Sequence, residues 1–250
     1  MSAALTSPGL ASRVRWHMRE AVAGNARLWQ TVHTLRGATH GMTARETDLV
    51  VEGYPRSGNS FAESAISLLE PSLRLAHHRH VAAQFLLARR WGIPALLLIR
   101  EPADAAASAV FRAPDLATPE QALRQWISFH NACEPACDAM VVSDFGTTTG
   151  DFGAVIAGLN DRFGLSLPAP EPDFADAAYA EIARKSAMRT ATSRLNYSPD
   201  MTQREKDERR RQIESIRHNM EARNPRLIDE ARGLSRKWQG RAVSGGAPAR

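Results

Sequence analysis

The feature that most constrains the fold of this 250-residue chain is a continuous apolar run over residues 93–99, IPALLLI, which lies between Gly92 and Arg100. An apolar run of this length without polar alternation is typical of a strand that is buried on both faces of a parallel sheet. Parallel strands are joined by crossover segments, which are usually helices that cover the faces of the sheet. The run therefore predicts an α/β protein with a doubly wound, mostly parallel sheet.

The rest of the chain alternates between strand and helix patterns, as such a sheet requires. Short apolar segments predict three further strands, at residues 48–52, 73–76 and 139–142. Helical spacing predicts helices over residues 60–69, 81–90, 105–111, 151–163 and 175–188, with a further helix that begins at Thr118. Thr118 is followed by Pro119 and by Gln121, which together form a capping signature.

The two ends of the chain are predicted to lie outside the α/β core. We expect a basic amphipathic helical segment within residues 1–47, the α/β domain over residues 48–239, and a disordered tail at residues 240–250. The basic helix is interpreted as packing on its own domain, with a peripheral contact with anionic lipid as the alternative. Residues 203–238 are predicted to be helical, and their mixed charges favour a solvated helix over a nucleic-acid surface.

Charge and composition narrow the classes of function. The formal net charge is +5, and nearly all the cations are arginine, which favours an anionic ligand without implying nucleic acid. Two cysteines, Cys133 and Cys137, do not make a disulfide framework. The first residues, MSAALTSPGL, lack the pattern of a secretion signal, and no segment has the apolar length of a membrane span. These observations predict a cytoplasmic globular protein.

A glycine-rich loop follows the first strand of the predicted domain. Residues 53–60, GYPRSGNS, match the pattern G-x-x-x-x-G-x-[ST] between a strand and a helix, where backbone N–H groups surround an anion. A loop that binds ATP has Lys directly after the second Gly, whereas Asn59 stands there and the cation of the loop is Arg56. The sequence therefore predicts a P-loop-like phosphate-binding loop of a different kind from that of kinases. Its binding residues are Pro55, Arg56, Ser57, Gly58, Asn59 and Ser60.

A second anion anchor is predicted where the buried strand ends. Arg100 follows that strand directly, and Ser108 lies on the helix that comes after it. Ligands of open parallel sheets bind at the carboxyl ends of the strands, so Arg100 is expected beside the glycine-rich loop. A guanidinium together with a hydroxyl suits a phosphate monoester.

The loop and the second anchor together resemble the sulfotransferases that use 3′-phosphoadenosine 5′-phosphosulfate (PAPS). In that family, Lys usually stands at the position of Arg56, and Thr stands at the positions of Asn59 and Ser60. The segments VVSDF at residues 141–145 and FGL at residues 163–165 are similar to further family segments. The resemblance extends from Asp48 to Leu167, roughly half of the chain.

The resemblance implies a fold, a co-substrate and a set of binding roles. The loop would hold the 5′-phosphosulfate of PAPS, with Arg56 as a catalytic cation, and Arg100 and Ser108 would hold the 3′-phosphate. The acceptor would be a hydroxyl or amine of a small molecule or glycan, no metal would be required, and the oligomeric state is left open. The family's C-terminal Arg-Lys-Gly element has no clear counterpart. The candidates are Arg184-Lys185-Ser186, Arg189 and Arg194.

Three histidines, His77, His78 and His80, follow the second predicted strand, where the resemblance places the catalytic base. A histidine near neutral pH accepts a proton from an attacking hydroxyl, which is general-base catalysis. The spacing back from Arg100 favours His78, with His80 as the nearest competitor and Glu63 as a weaker candidate. A zinc site and a surface or supporting role for individual histidines are the competing interpretations, and zinc would need Glu70 or another ligand in addition.

Two other functions remain as alternatives. A nucleotide-dependent phosphotransferase would need magnesium and a cation for the γ-phosphate, which the loop lacks at its usual place. A nucleotide-binding protein without turnover is the second alternative, because Arg56 replaces the usual Lys and the C-terminal element is missing.

Overall fold

The computed structural model describes residues 25–35, 40–187 and 201–243. In chain order the elements are α1 (Ala26–Leu35), β1 (Leu49–Gly53), α2 (Asn59–Leu69), β2 (Leu75–His77), α3 (Ala83–Trp91), β3 (Ala95–Ile99), α4 (Pro102–Arg112), α5 (Pro119–Cys133), a 3-10 helix (Glu134–Ala139), β4 (Val141–Asp144), α6 (Phe145–Gly150), α7 (Phe152–Phe163), α8 (Phe174–Ala187), α9 (Gln203–Arg223) and α10 (Pro225–Gln239). The four predicted strands are all present, each within two residues of its predicted start.

The strands form one four-stranded parallel sheet in the order β2-β1-β3-β4. In the central pair, Val50 lies opposite Ala95 and Gly53 lies opposite Leu98. A side chain at Gly53 would meet the Leu98 carbonyl oxygen at 2.4 Å, so the close approach of β1 and β3 requires glycine here. The prediction of an α/β protein with a parallel sheet is confirmed.

Helices cover both faces of this sheet. On one face, alternate side chains of β1 and β3, such as Val50 and Leu97, pack against α3, α5 and α10, with Trp126 and Trp238 fully buried among them. On the other face, the intervening side chains, such as Val51 and Leu98, pack against α2, α7 and α8. This three-layer arrangement explains why β3 is apolar along its whole length, since neither face contacts water.

The C-terminal region differs from its prediction in two ways. The charged helical region 203–238 is two helices, α9 and α10, which are separated at Asn224 because Pro225 cannot continue the ladder of α9. The tail was predicted to be disordered from residue 240, but the Val243 backbone N–H donates to the Val142 carbonyl at 2.9 Å beside β4. Residues 244–250 lie outside the described residues.

The N-terminal helix packs on the domain in the part that the structure describes. Trp29 of α1 is 3% exposed and contacts a cluster that includes Val81 and Leu87. The remainder of the predicted basic helix, at residues 10–24 and 36, lies outside the described residues. Within the described ranges, no helix combines the length and the apolar character needed to cross a bilayer.

The strand order fixes where a ligand would bind. After β1 the chain turns to one side to form β2, and it then returns to the other side of β1 to form β3. The loops that follow β1 and β3 therefore diverge at the carboxyl edge of the sheet and leave a crevice between them. Both predicted anion anchors follow these two strands.

Candidate functional site

The loop after β1 ends at the N-terminus of α2. Gly58 is the N-cap residue of this helix, with φ 97°, and no side chain caps the first turn. The first N–H groups of a helix lack intrahelical acceptors, so an uncapped N-terminus favours an anion. The Ser57 hydroxyl, in the same loop, is fully buried and has no hydrogen-bond partner. A buried donor without a partner is uncommon in folded proteins, and here it lies in the loop predicted to bind phosphate.

Asn59 has a structural role in this loop. Its side-chain amide donates to the Tyr54 carbonyl at 3.0 Å, and the Ser57 backbone N–H donates to the same carbonyl at 3.2 Å. These two bonds hold the turn closed from inside. The Tyr54 hydroxyl in turn donates to the Ala122 carbonyl, at 2.9 Å, and so fastens the loop to α5.

The two predicted anchors meet in the structure. The Arg56 Nε donates to the Ser108 Oγ at 3.1 Å, and an Arg100 terminal nitrogen donates to the Arg56 carbonyl at 3.0 Å. The Arg100 guanidinium also lies over the Phe145 ring, 4.3 Å from its centroid, in a cation–π contact. Sequence reasoning predicted that Arg56, Arg100 and Ser108 share one edge of the sheet, and the structure brings them into direct contact.

Two further arginines join this group. Burial, and after it the positive charges of Arg209, Arg100 and Arg112, together lower the pKa of Arg56 to about 10. Arg209 comes from α9 and lies over the Phe111 ring, 5.1 Å from its centroid. We call Arg56, Arg100, Arg112 and Arg209 the arginine cluster. Because the guanidinium group is a strong base, these side chains concentrate positive charge at the crevice.

The histidines lie beside the loop on the other side of β1. The His78 Nε2 is 3.2 Å from the Ser60 Oγ, and its Nδ1 is 2.8 Å from the His77 Nδ1. Burial, and after it the adjacent rings of His80 and His77, together lower the pKa of His78 to about 4. The ring of His78 is therefore uncharged at neutral pH.

His80 has different surroundings. Its Nδ1 is 2.8 Å from the Gly53 carbonyl oxygen and 3.2 Å from a carboxylate oxygen of Glu52, which is fully buried. The His80 side chain is 20% exposed, so it is partly accessible to solvent. Sequence reasoning treated Glu52 only as a strand residue, although a charged residue inside a buried strand is itself a signal of a special role.

The backbone conformation sets the same residues apart. In the part of the chain that the structure describes, three residues other than glycine have positive φ: Arg56 at 73°, His78 at 58° and His80 at 54°. This conformation is unfavourable for residues with a Cβ, and it concentrates at functional sites. These three residues are the ones that the sequence marked as catalytic candidates.

The remaining candidates are placed elsewhere. The Lys185 ammonium donates to a carboxylate oxygen of Glu63 at 2.7 Å, which joins α8 to α2, and Arg184 pairs with Glu181. Arg184 and Lys185 therefore have partners on the α2–α8 side of the sheet, away from Arg100. Arg189 and Arg194 lie outside the described residues.

A metal site is not formed by the residues in ranges 25–35, 40–187 and 201–243, where no group of three or more His, Cys, Asp or Glu side chains is arranged to hold an ion. Glu70, the carboxylate considered for zinc, accepts instead from the Ser72 hydroxyl at 2.6 Å.

Comparison with known proteins gives no relative: no protein-family model, no curated protein sequence and no solved structure matches this chain. The function of the protein is therefore inferred from the chemistry of the crevice.

Proposed function

We propose that this protein is a sulfotransferase that moves the sulfuryl group of PAPS to a hydroxyl or amine acceptor. The observation that carries the proposal is the contact between the two anion anchors, in which Arg56 bonds Ser108 and Arg100 bonds the Arg56 carbonyl. Two anchors on separate loops suit a ligand with two separated anionic groups, which PAPS has and a simple phosphate ester lacks.

The residues present fit such a nucleotide. The unpartnered Ser57 hydroxyl and the uncapped N-terminus of α2 supply neutral donors for the 5′-phosphosulfate. The arginine cluster supplies charge for both ends of the ligand, with Arg100 and Ser108 assigned to the 3′-phosphate. The usual lysine of an ATP-binding loop is replaced by Asn59, whose side-chain amide is used within the turn.

In the proposed reaction, the acceptor oxygen or nitrogen attacks sulfur while the bond from sulfur to the bridging oxygen breaks. Negative charge grows on the bridging oxygen, and Arg56 is the cation of the loop that stabilises it. A histidine beside the loop takes the acceptor proton, and His78 and His80 are the two candidates. The acceptor is a small molecule or a glycan.

A binding experiment separates this function from the alternatives. Calorimetric titration should show that the parent protein binds adenosine 3′,5′-bisphosphate more tightly than adenosine 5′-phosphate, and more tightly than ATP with magnesium. Arg100→Ala should lose roughly ten- to a hundredfold in affinity for the bisphosphate, because a charge-assisted contact contributes about 1.5 to 3 kcal/mol. Its affinity for the monophosphate should change little.

Arg90→Ala is the matched control, because Arg90 is an exposed arginine at the end of α3. It should bind both nucleotides as the parent does. If Arg100→Ala kept the full preference for the bisphosphate, the assignment of Arg100 to the 3′-phosphate would be wrong. Tighter binding of ATP with magnesium would favour a phosphotransferase. Transfer of labelled sulfate from PAPS to an acceptor panel then distinguishes an enzyme from a binding protein.

A further inference from the structure

Glu52 is a charged residue in the middle of the protein. It lies in β1, whose five residues are all buried, and its side chain is 0% exposed. An ionised carboxylate is costly to bury unless partners compensate it. A buried carboxylate at the carboxyl end of the central strand therefore needs an explanation beyond packing.

The partners of Glu52 all come from the edge of the crevice. One carboxylate oxygen accepts from the Arg79 backbone N–H at 2.7 Å, and the other accepts from the Gly53 backbone N–H at 3.2 Å. Burial raises the pKa of Glu52, but the bond and charge of His80, with the Arg79 N–H, outweigh burial and leave the pKa below its usual range. Glu52 is therefore ionised in the folded protein.

These contacts determine the tautomer of His80. Both neighbours of its Nδ1, the Gly53 carbonyl at 2.8 Å and the Glu52 carboxylate at 3.2 Å, are hydrogen-bond acceptors. An Nδ1 between two acceptors must carry the hydrogen, so the lone pair of the neutral ring lies on Nε2. The neighbouring carboxylate also stabilises the ring once it accepts a second proton, as in other pairs of carboxylate and histidine.

His78 lacks this support. Its Nδ1 faces another imidazole, His77, and its Nε2 faces the Ser60 hydroxyl. Among the described residues, Glu52 and Glu63 act on the His78 ring only through their charge, without a carboxylate contact. The geometry thus separates two histidines that the sequence left as competitors.

We propose that Glu52 is a positioning residue that holds His80 with its Nε2 lone pair available, which makes His80 the general base. The inference rests on the proposed function. As the acceptor oxygen bonds to sulfur, its proton passes to the His80 Nε2. The electron pair of the broken bond leaves with the bridging oxygen of adenosine 3′,5′-bisphosphate, and the imidazolium returns its proton to water.

Several titratable groups surround this pair. Glu52 faces His80 from β1, His78 faces the His80 ring from the loop after β2, and His77, at the end of β2, faces His78. Glu63 and Lys185, from α2 and α8, act on His77, and Cys133 of α5 lies within the field of Glu52. Only Glu52 among these contacts the His80 ring with a carboxylate, in the part of the chain that the structure describes.

The test uses the full chain and the variants Glu52→Gln, Glu52→Asp, His78→Ala and His80→Ala. Glu52→Gln should lower turnover roughly 10- to 100-fold, as loss of an orienting partner commonly does. Its affinity for adenosine 3′,5′-bisphosphate should stay unchanged. The acidic limb of the pH–rate profile should persist in His78→Ala and disappear in His80→Ala, since the proposal makes His80 the base. Glu52→Asp should recover part of the activity. Glu70→Gln, which removes a surface carboxylate, should behave as the parent.

Nitrogen-15 spectra of labelled histidine supply a measurement that does not require turnover. In the parent protein His80 should show hydrogen on Nδ1, and Glu52→Gln should show a mixture of tautomers. The opposite tautomer in the parent, or an acidic limb that disappears in His78→Ala and persists in His80→Ala, would overturn the assignment. If the spectra agree but PAPS is neither bound nor used, the proposed function fails while the pairing of Glu52 with His80 stands.

Discussion

Arg56 combines an unfavourable backbone conformation with an unfavourable charge environment. Its φ is 73°, and its buried guanidinium lies in the field of three other arginines. Neither feature helps the protein to fold, since a left-handed residue with a Cβ costs about 1 kcal/mol or more and like charges repel. An anion bound at the loop would offset the repulsion between the guanidinium groups, whereas the left-handed backbone would remain.

Replacing Arg56 should therefore separate binding from turnover. We expect Arg56→Ala to lose roughly a hundredfold or more in turnover, in the range of other losses of an oxyanion donor, with a smaller loss in PAPS affinity. Arg56→Lys should recover much of the rate because it keeps a cation in the loop. Steady-state and single-turnover kinetics measure both effects. Normal turnover in Arg56→Ala with only weaker donor binding would make Arg56 a binding residue alone.

At the scale of single residues, the sequence predicted the loop and its partners because their signals are local. The glycine-rich segment follows a strand directly, and Arg100 follows the next central strand, so parallel pairing alone brings them together. Glu52 was missed because its role depends on His80, which reaches it only through the pairing of β1 with β2. The same dependence prevented a choice between His78 and His80.

The packing of helix α9 could not be predicted from its sequence pattern. Its mixed charges predicted a solvated helix, and most of its side chains are indeed exposed. Yet Met220, with Ile213 and Ile216, packs against apolar residues of α4 and α5. This packing places Arg209 in the arginine cluster. A few apolar residues in a charged sequence give a weak periodic signal, so neither the docking nor the role of Arg209 was predicted. The break between α9 and α10, by contrast, could have been predicted from Pro225, because proline cannot continue a helix.

Arg209 should contribute to anion binding from this distant element. We expect Arg209→Ala to reduce the affinity for adenosine 3′,5′-bisphosphate by about tenfold, equivalent to about 1.4 kcal/mol, because it removes one charge of the cluster. Arg210→Ala is the control, since Arg210 is the adjacent exposed arginine. Titration calorimetry at low and moderate salt measures both. Equal affinities for the two variants would show that α9 takes no part in the site.

The whole molecule contains an ionisable group at its centre that the proposed reaction does not use. His130 of α5 is fully buried, stacks on Trp126 at 3.8 Å between ring centroids, and has its Nδ1 2.8 Å from the Trp126 carbonyl. Burial lowers the pKa of His130 to about 3, although the bond to the Trp126 carbonyl opposes this shift. The unfolded chain therefore binds a proton in mildly acidic solution that the folded chain excludes.

Stability should accordingly fall as the pH falls below the ordinary pKa of histidine, 6.5. From pH 7 to pH 5, His130 alone should remove about 2 kcal/mol from the free energy of unfolding, since each pKa unit is worth about 1.4 kcal/mol. Urea unfolding of His130→Phe should show a pH dependence that is smaller by about this amount, whatever its stability at pH 7. His218→Phe, at an exposed position of α9, should keep the parent's dependence. An unchanged pH dependence in His130→Phe would contradict the prediction.

The left-handed backbone at Arg56, His78 and His80 matters for attempts to raise the thermal stability of the protein. Glycine is the residue best suited to that conformation, so replacements by glycine at these three positions would relax the native state. A search that rewards heat resistance alone would therefore favour such a change at Arg56, where it would also remove like-charge repulsion. At His80 the gain is opposed, because the buried Glu52 carboxylate would lose its imidazole partner. Stability and the proposed chemistry therefore oppose each other at Arg56, and selection for stability alone would remove the cation of the loop first.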